Sequence, residues 1–96
     1  MTKTFAKLQH CVYVLRSEVD DLLYAGYSTN LKQRLTDHFN GRVPATAPRR
    51  PLHLIYCEYH ISKTDALRRE KYFKTTAGKK ALKLMLRDVL NDSRGR

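Results

Sequence analysis

Cys11-Val12-Tyr13-Val14-Leu15 and Leu22-Leu23-Tyr24-Ala25-Gly26-Tyr27 are two runs of β-branched, aromatic and aliphatic residues, separated by Ser17-Glu18-Val19-Asp20-Asp21. Each run has strand length and the segment between them has turn chemistry, so the pair predicts an antiparallel hairpin. The pairing of that hairpin decides whether Tyr13 and Tyr24 share a face. With Arg16 opposite Asp21, the two tyrosines lie directly opposite one another. With Arg16 opposite Leu22, they point to different faces. The sequence leaves both registers open. Gly26, two residues after Tyr24, shares the face of Tyr24. A glycine inside a strand marks close approach of another group, and the expectation is room beside the Tyr24 phenol for a phosphate or a water.

Beyond the hairpin, Ser28-Thr29-Asn30 offers helix caps. Leu31, Leu35 and Phe39 recur every four residues, which predicts a helix from Leu31 to about Asn40 that Asn40-Gly41 stops. Residues 41–51, GRVPATAPRRP, carry all three prolines and read as a loop. Leu52 to Tyr59 predicts a third strand. Ser62-Lys63-Thr64-Asp65 opens a helix to about Thr75, Thr76-Ala77-Gly78 breaks it, and a basic helix follows from Gly78 or Lys79 to about Leu90. The order is ββαβαα. It predicts an α+β domain in which a small three-stranded antiparallel sheet carries helices. With 96 residues the chain has room for one core, spanning about residues 11–90 of a single domain over 1–96.

Three polar residues fall where apolar ones are expected. At about 100° per residue, His38 lies inside the stripe of Leu31 and Leu35, and Arg34 lies on its edge. In the second helix Ala66, Leu67 and Phe73 define the inward face, and Glu70 falls in the middle of it; positions 68, 69, 71 and 72 face outward. An inward carboxylate is costly unless it is paired, bound to metal or at the lip of a cleft. Two readings stand: a core ion pair of Glu70 with Arg34, or a site that both line. The pair alone does not explain His38. Tyr13 and Tyr24 read equally as core aromatics or as site phenols.

Composition narrows the class. Lys and Arg number 19 against 9 Asp and Glu, a formal charge of +10. Residues 1–62 hold eight basic and five acidic side chains, and residues 63–96 hold eleven and four. A field of that sign attracts polyanions, chiefly nucleic acid. No apolar run approaches the roughly 20 residues that cross a bilayer, and residues 1–5 lack an export core. A cytoplasmic location is expected, with Cys11 and Cys57 as buried free thiols.

The ordered set of Tyr13, Tyr24-Ala25-Gly26, Arg34, His38 and the helical Glu70 resembles the GIY-YIG nuclease domain, in particular its small stand-alone bacterial members. Cys11-Val12-Tyr13 stands for the first signature tripeptide and Tyr24-Ala25-Gly26 for the second. The block Ala66-Leu67-Arg68-Arg69-Glu70-Lys71-Tyr72-Phe73-Lys74 is similar to the stand-alone subset. Cys11, Val12 and Ala25 depart from the family's residues by small apolar exchanges. Tyr27 stands where some members carry lysine, and Asn91 is the candidate for the family's late asparagine.

The resemblance implies metal-dependent hydrolysis of a phosphodiester, with DNA expected over RNA. Glu70 would hold Mg²⁺, which keeps several waters and needs few protein oxygens; Mn²⁺ could substitute. Arg34 would present a fork of donors to the phosphate. Tyr13 would be the general base, its proton affinity lowered by Arg34. Tyr24 would position the water or phosphate. His38 would orient Tyr13, contact the phosphate or act as the base itself. Arg42, Arg49 and Arg50 in the loop and Lys79, Lys80, Lys83 and Arg87 in the last helix would hold the backbone without reading sequence. A nucleic-acid-binding module of the same fold with no turnover is the alternative. A structural protein built on a Glu70–Arg34 ion pair is the third reading.

Overall fold

Continuous hydrophobicity from Cys11 to Leu15 suits a strand covered on both faces, and the chain places it in the middle of its sheet. A computed structural model describes residues 7–92. Strand β1 is His10–Ser17, β2 is Leu23–Ser28 and β3 is Leu52–His60. They form one antiparallel sheet in the order β2-β1-β3. Helix α1 is Leu31–Phe39, α2 is Lys63–Phe73, α3 is Thr76–Met85 and α4 is Arg87–Asn91. The expected α+β order is the observed one. Residues 1–5, on which the expected lack of an export core rests, lie outside the described residues. Among the described residues no helix is long and apolar enough to cross a membrane.

Alternation in β1 splits the core in two. Val12 and Val14 point to the side where Ala66 and Phe73 of α2 and Leu82 of α3 close over them. Cys11, Tyr13 and Leu15 point to the other side, against Leu31 and Leu35 of α1, with Tyr24 and Leu52. The pairing of β1 with β3 shifts between Val14 and Leu15, where β3 spends one extra residue. That bulge lets both Ile55 and Tyr56 pack on the α2 side.

The hairpin adopts neither register considered from sequence. Arg16 pairs with Leu23, and Tyr13 pairs with Gly26. Tyr24 lies opposite Leu15, so its side chain still shares the face of Tyr13. Asp21 holds φ at 62° in the connecting turn, and its carboxylate accepts from Arg16 Nε at 3.0 Å. The two residues meet through their side chains and not through backbone pairing.

Other boundaries move for local reasons. Thr76-Ala77-Gly78 is not a break but the first turn of α3: the Thr75 hydroxyl caps it by accepting from Gly78 N. Gly78 is buried, and a β-carbon there would collide with the Tyr72 carbonyl, so it allows α3 to leave α2 at close range. The basic helix is interrupted at Leu86. Leu67 and Phe39, expected inward, are exposed, and Arg69, expected outward, lays its guanidinium 4.3 Å from the Phe73 ring centre and bonds Glu58. Cys11 is buried between two neighbouring strands as expected, whereas Cys57 is exposed, because β3 is an edge strand.

Candidate active site

Tyr13 starts from the central strand, and its ring crosses Gly26 of the neighbouring strand. A β-carbon at position 26 would overlap the Tyr13 hydroxyl and the ring carbon that bears it. The space beside Gly26 therefore belongs to the Tyr13 phenol and not to a phosphate or water beside Tyr24. Pairing of Tyr13 with Gly26 is what makes this crossing possible. The hydroxyl then lies 2.7 Å from His38 Nε2, and His38 Nδ1 lies 2.7 Å from the Thr46 hydroxyl. Tyr13, His38 and Thr46 are all fully buried. Tyr24 packs edge-on against the His38 ring at 5.4 Å.

Helix α1 supplies two of these groups at once. The side chain of Asn30 caps it, accepting from Gln33 N. His38 is its buried residue, while Leu31, Arg34 and Leu35 are half-buried. The Arg34 guanidinium is close enough for the Tyr13 hydroxyl to hold it above its ordinary proton affinity. His38 thus links the Tyr13 and Thr46 hydroxyls through its two ring nitrogens; in a neutral imidazole one of these donates and the other accepts.

The acid–base balance differs from the expectation. Burial pushes the Tyr13 phenol up to about 12; the nearby Arg34 guanidinium opposes this and loses. Burial likewise holds His38 down to about 4, and the Arg34 charge adds to it. Tyr13 and His38 are both neutral at pH 7. His38 is fully buried, with one ring nitrogen on the Tyr13 hydroxyl and the other on Thr46.

Glu70 approaches from α2. Because β2 is an edge strand, α2 side chains reach past it to the rim where Tyr24 lies. Glu70 is half-buried, with its side chain 22% exposed, and its ion-pair partner is Lys74 at 3.3 Å, not Arg34. The Lys74 ammonium stands 5.5 Å from the Tyr24 ring centre. The Glu70 charge is also felt at Tyr13. The rim thus gathers a phenol, a carboxylate and two cations beside the buried Tyr13–His38 pair. Among the described residues no three His, Cys, Asp or Glu side chains cluster as a metal cage. A single half-buried carboxylate does fit a hard cation that retains its waters.

Thr46 and Lys74 were missed from sequence. Thr46 stands in a proline-rich stretch that carries no periodicity, so nothing marks it as buried. Lys74 carries a weak signal, its i+4 spacing from Glu70. The proline segment is a docked element more than a solvated one. It contains a 3-10 turn over Ala47–Arg49, and the Arg49 carbonyl accepts from Ser17 Oγ. Arg42 pairs with Asp37, Arg49 with Asp20, and Arg50 donates to the Ala47 carbonyl. Lys79, Lys80 and Lys83 are exposed on α3. Tyr27 points to the α2 side and bonds His10. Asn91 ends α4 beside Lys83 and Arg87, away from the Tyr13 pair.

Residues 9–83 match the family model described as the GIY-YIG catalytic domain. The chain belongs to the GIY-YIG family. A UPF0213 protein of Staphylococcus haemolyticus is 38% identical over 80% of this chain and 94% of its own length. UPF0213 proteins of Staphylococcus aureus are 38% identical over 79% of this chain and 93% of theirs. A UPF0213 protein from Bacillus halodurans, solved by solution NMR, has 30% identity, a TM-score of 0.52, and covers 79% of this chain and 83% of its own. The GIY-YIG match spans every residue from Tyr13 to Lys74 described above and stops before α4.

Proposed function

We propose that this chain is a metal-dependent endonuclease that hydrolyses phosphodiester bonds, acting on DNA. The observation that carries this reading is the buried Tyr13 hydroxyl, hydrogen-bonded to His38 Nε2 and under the influence of the Arg34 charge. A phenol packed only for its volume has no need of a buried imidazole fixed in turn by a buried threonine.

The residues divide the work as follows. Arg34 holds the scissile phosphate through its planar donors, where negative charge grows as water attacks phosphorus. Tyr24 lines the rim and orients the incoming water or phosphate through its hydroxyl. The water gives its proton to Tyr13 Oη as the Tyr13 proton passes to His38 Nε2. Tyr13 and His38 therefore form one relay, not alternative bases. A neutral phenol near pKa 12 is a poor base alone, and the relay avoids a free phenolate. A phosphate beside Arg34 offsets the positive charge that depresses His38, so substrate binding itself raises the proton affinity of the acceptor. Glu70 would hold Mg²⁺, with Mn²⁺ a possible substitute. When bound there, the ion would supply Lewis-acid stabilisation of phosphoryl and leaving oxygens. Lys74, now paired with Glu70, is an additional cation at the rim for the phosphate.

Incubation of supercoiled plasmid with Mg²⁺ or Mn²⁺ tests the reading. The wild type should nick it. Glu70→Gln and Tyr13→Phe should each lower the rate by about 10²-fold or more, with binding to uncut duplex within about twofold. If the wild type cuts no DNA or RNA substrate with either metal yet binds duplex, the non-catalytic module is correct. The structural reading loses its basis in the ion pairing of Glu70 with Lys74.

A further inference from the structure

On the α2 side of the sheet, at the hairpin end, the strands and the last two helices enclose a second positively charged cleft. It has a volume of about 410 Å³ and is lined by Arg16 of β1, Asp21 of the turn, Lys83 of α3, and Arg87 and Asn91 of α4. A neighbouring groove shares Asp21 and Lys83 and adds Lys79 and Arg49. The unusual member is Arg16. It is 7% exposed, and its Nε is satisfied by Asp21. Among the described residues, Arg16 Nη1 is the one buried side-chain nitrogen or oxygen that lacks a hydrogen-bond partner. A buried guanidinium donor without an acceptor is costly, and natural structures seldom leave one unless a ligand completes it.

We propose that this cleft is a phosphate subsite, with Arg16 at its base and Lys83 and Arg87 at its mouth, separate from the Tyr13 pair. Three cations face a single carboxylate, Asp21, whose Oδ1 is already on Arg16 Nε. The lining therefore keeps an excess positive charge for a tetrahedral oxyanion. Arg87 spends one nitrogen on the Leu84 carbonyl, which fixes its fork, and Lys83 is exposed with no acidic partner among the described residues. Asn91 adds an amide at the same mouth. Leu23, which also lines the cleft, precedes Tyr24 in β2, so the cleft and the catalytic rim lie on opposite faces of the same edge strand. Resting on the nuclease reading for its ligand, this subsite takes a phosphate of the strand being cut, past the scissile one. The ligand chemistry is shared by an internal phosphodiester and a terminal phosphate.

Three measurements on the full chain, made without divalent metal, decide it. Inorganic phosphate titrated at constant ionic strength into labelled protein should give saturable NMR shifts at Arg16, Lys83 and Arg87. The double variant Lys83→Ala, Arg87→Ala, exposed at both positions, should lose them. Salt dependence of binding to an uncut duplex should fall in slope by about 1 to 2 in that variant. The control double variant Lys32→Ala, Lys71→Ala removes the same charge elsewhere and should change the slope less. Arg16→Met, checked for a native spectrum, should also abolish the phosphate shifts. A 5′-phosphorylated single strand that outcompetes its unphosphorylated twin assigns the site to a terminal phosphate; equal competition assigns it to the backbone. Shifts spread evenly over the basic surface, or equal slope losses in both double variants, overturn the subsite while leaving plasmid nicking untouched. Absence of nicking with the phosphate shifts present overturns the nuclease reading and leaves the subsite standing.

Discussion

Gly26 and His38 carry more of the site than their chemistry suggests. The Tyr13 ring passes over Gly26 because nothing projects there, so Gly26→Ala should push the phenol off His38 Nε2. Overpacking of that kind costs about 1–3 kcal/mol. Urea unfolding should show it, and plasmid nicking should fall at least about tenfold, since a displacement near 1 Å is enough to spoil alignment. His38 makes the protein acid-sensitive in a defined window. Its folded proton affinity is held down to about 4, against an ordinary value near 6.5. The contribution of neutral His38 is complete above pH 6.5 and is lost as pH falls toward 4, where the unfolded chain takes up a proton that the folded one refuses. That linkage is worth up to about 3 kcal/mol. Unfolding free energies of wild type and His38→Gln, taken at pH 7 and pH 4.5, should therefore converge on the acid side. Parallel pH profiles would mean that His38 is solvated.

At the scale of elements, the junction of α2 and α3 offers two substitutions with different physics. Thr75→Ala removes a cap and should cost about 1 kcal/mol. Gly78→Ala drives a methyl into the Tyr72 carbonyl, which belongs to backbone and cannot turn away. It should cost more than the cap, despite the higher helix propensity of alanine. Equal thermal shifts for the two would show that α3 does not need the close approach. This junction also shows what was legible beforehand. The hydrophobic spacing of 11–15, 22–27 and 52–59 exposes the three strands, and the placement of Arg34, His38 and Glu70 on apolar faces marks them out. The hairpin register was not legible, because it depends on how the five residues between the strands close, and turn composition alone does not count them. Thr46 was hidden for a related reason. It is buried by tertiary docking of a segment whose own sequence has no period. Lys74 and Arg69 escaped because long cationic side chains lie along apolar surfaces while their heads reach polar partners, which a helical wheel does not show.

Across the whole molecule, charge and layering serve different ends. The formal charge of +10 supplies attraction to a polyanion but no address within it, and Arg42 and Arg49 spend part of that charge on internal pairs. Sandwiching of β1 between α1 on one side and α2 with α3 on the other gives the Tyr13 phenol its mount. Tyr13 is fully buried and is rooted where the backbone has a partner on both flanks. Amide hydrogen exchange at Tyr13 should therefore be among the slowest in the chain, governed by global opening and not by fraying of β2. On heating, strand scission and the near-ultraviolet circular dichroism of the tyrosines should disappear together in a single cooperative melt. The proposed site would then have no separate breaking point: any molecule still folded would keep the Tyr13–His38 pair assembled.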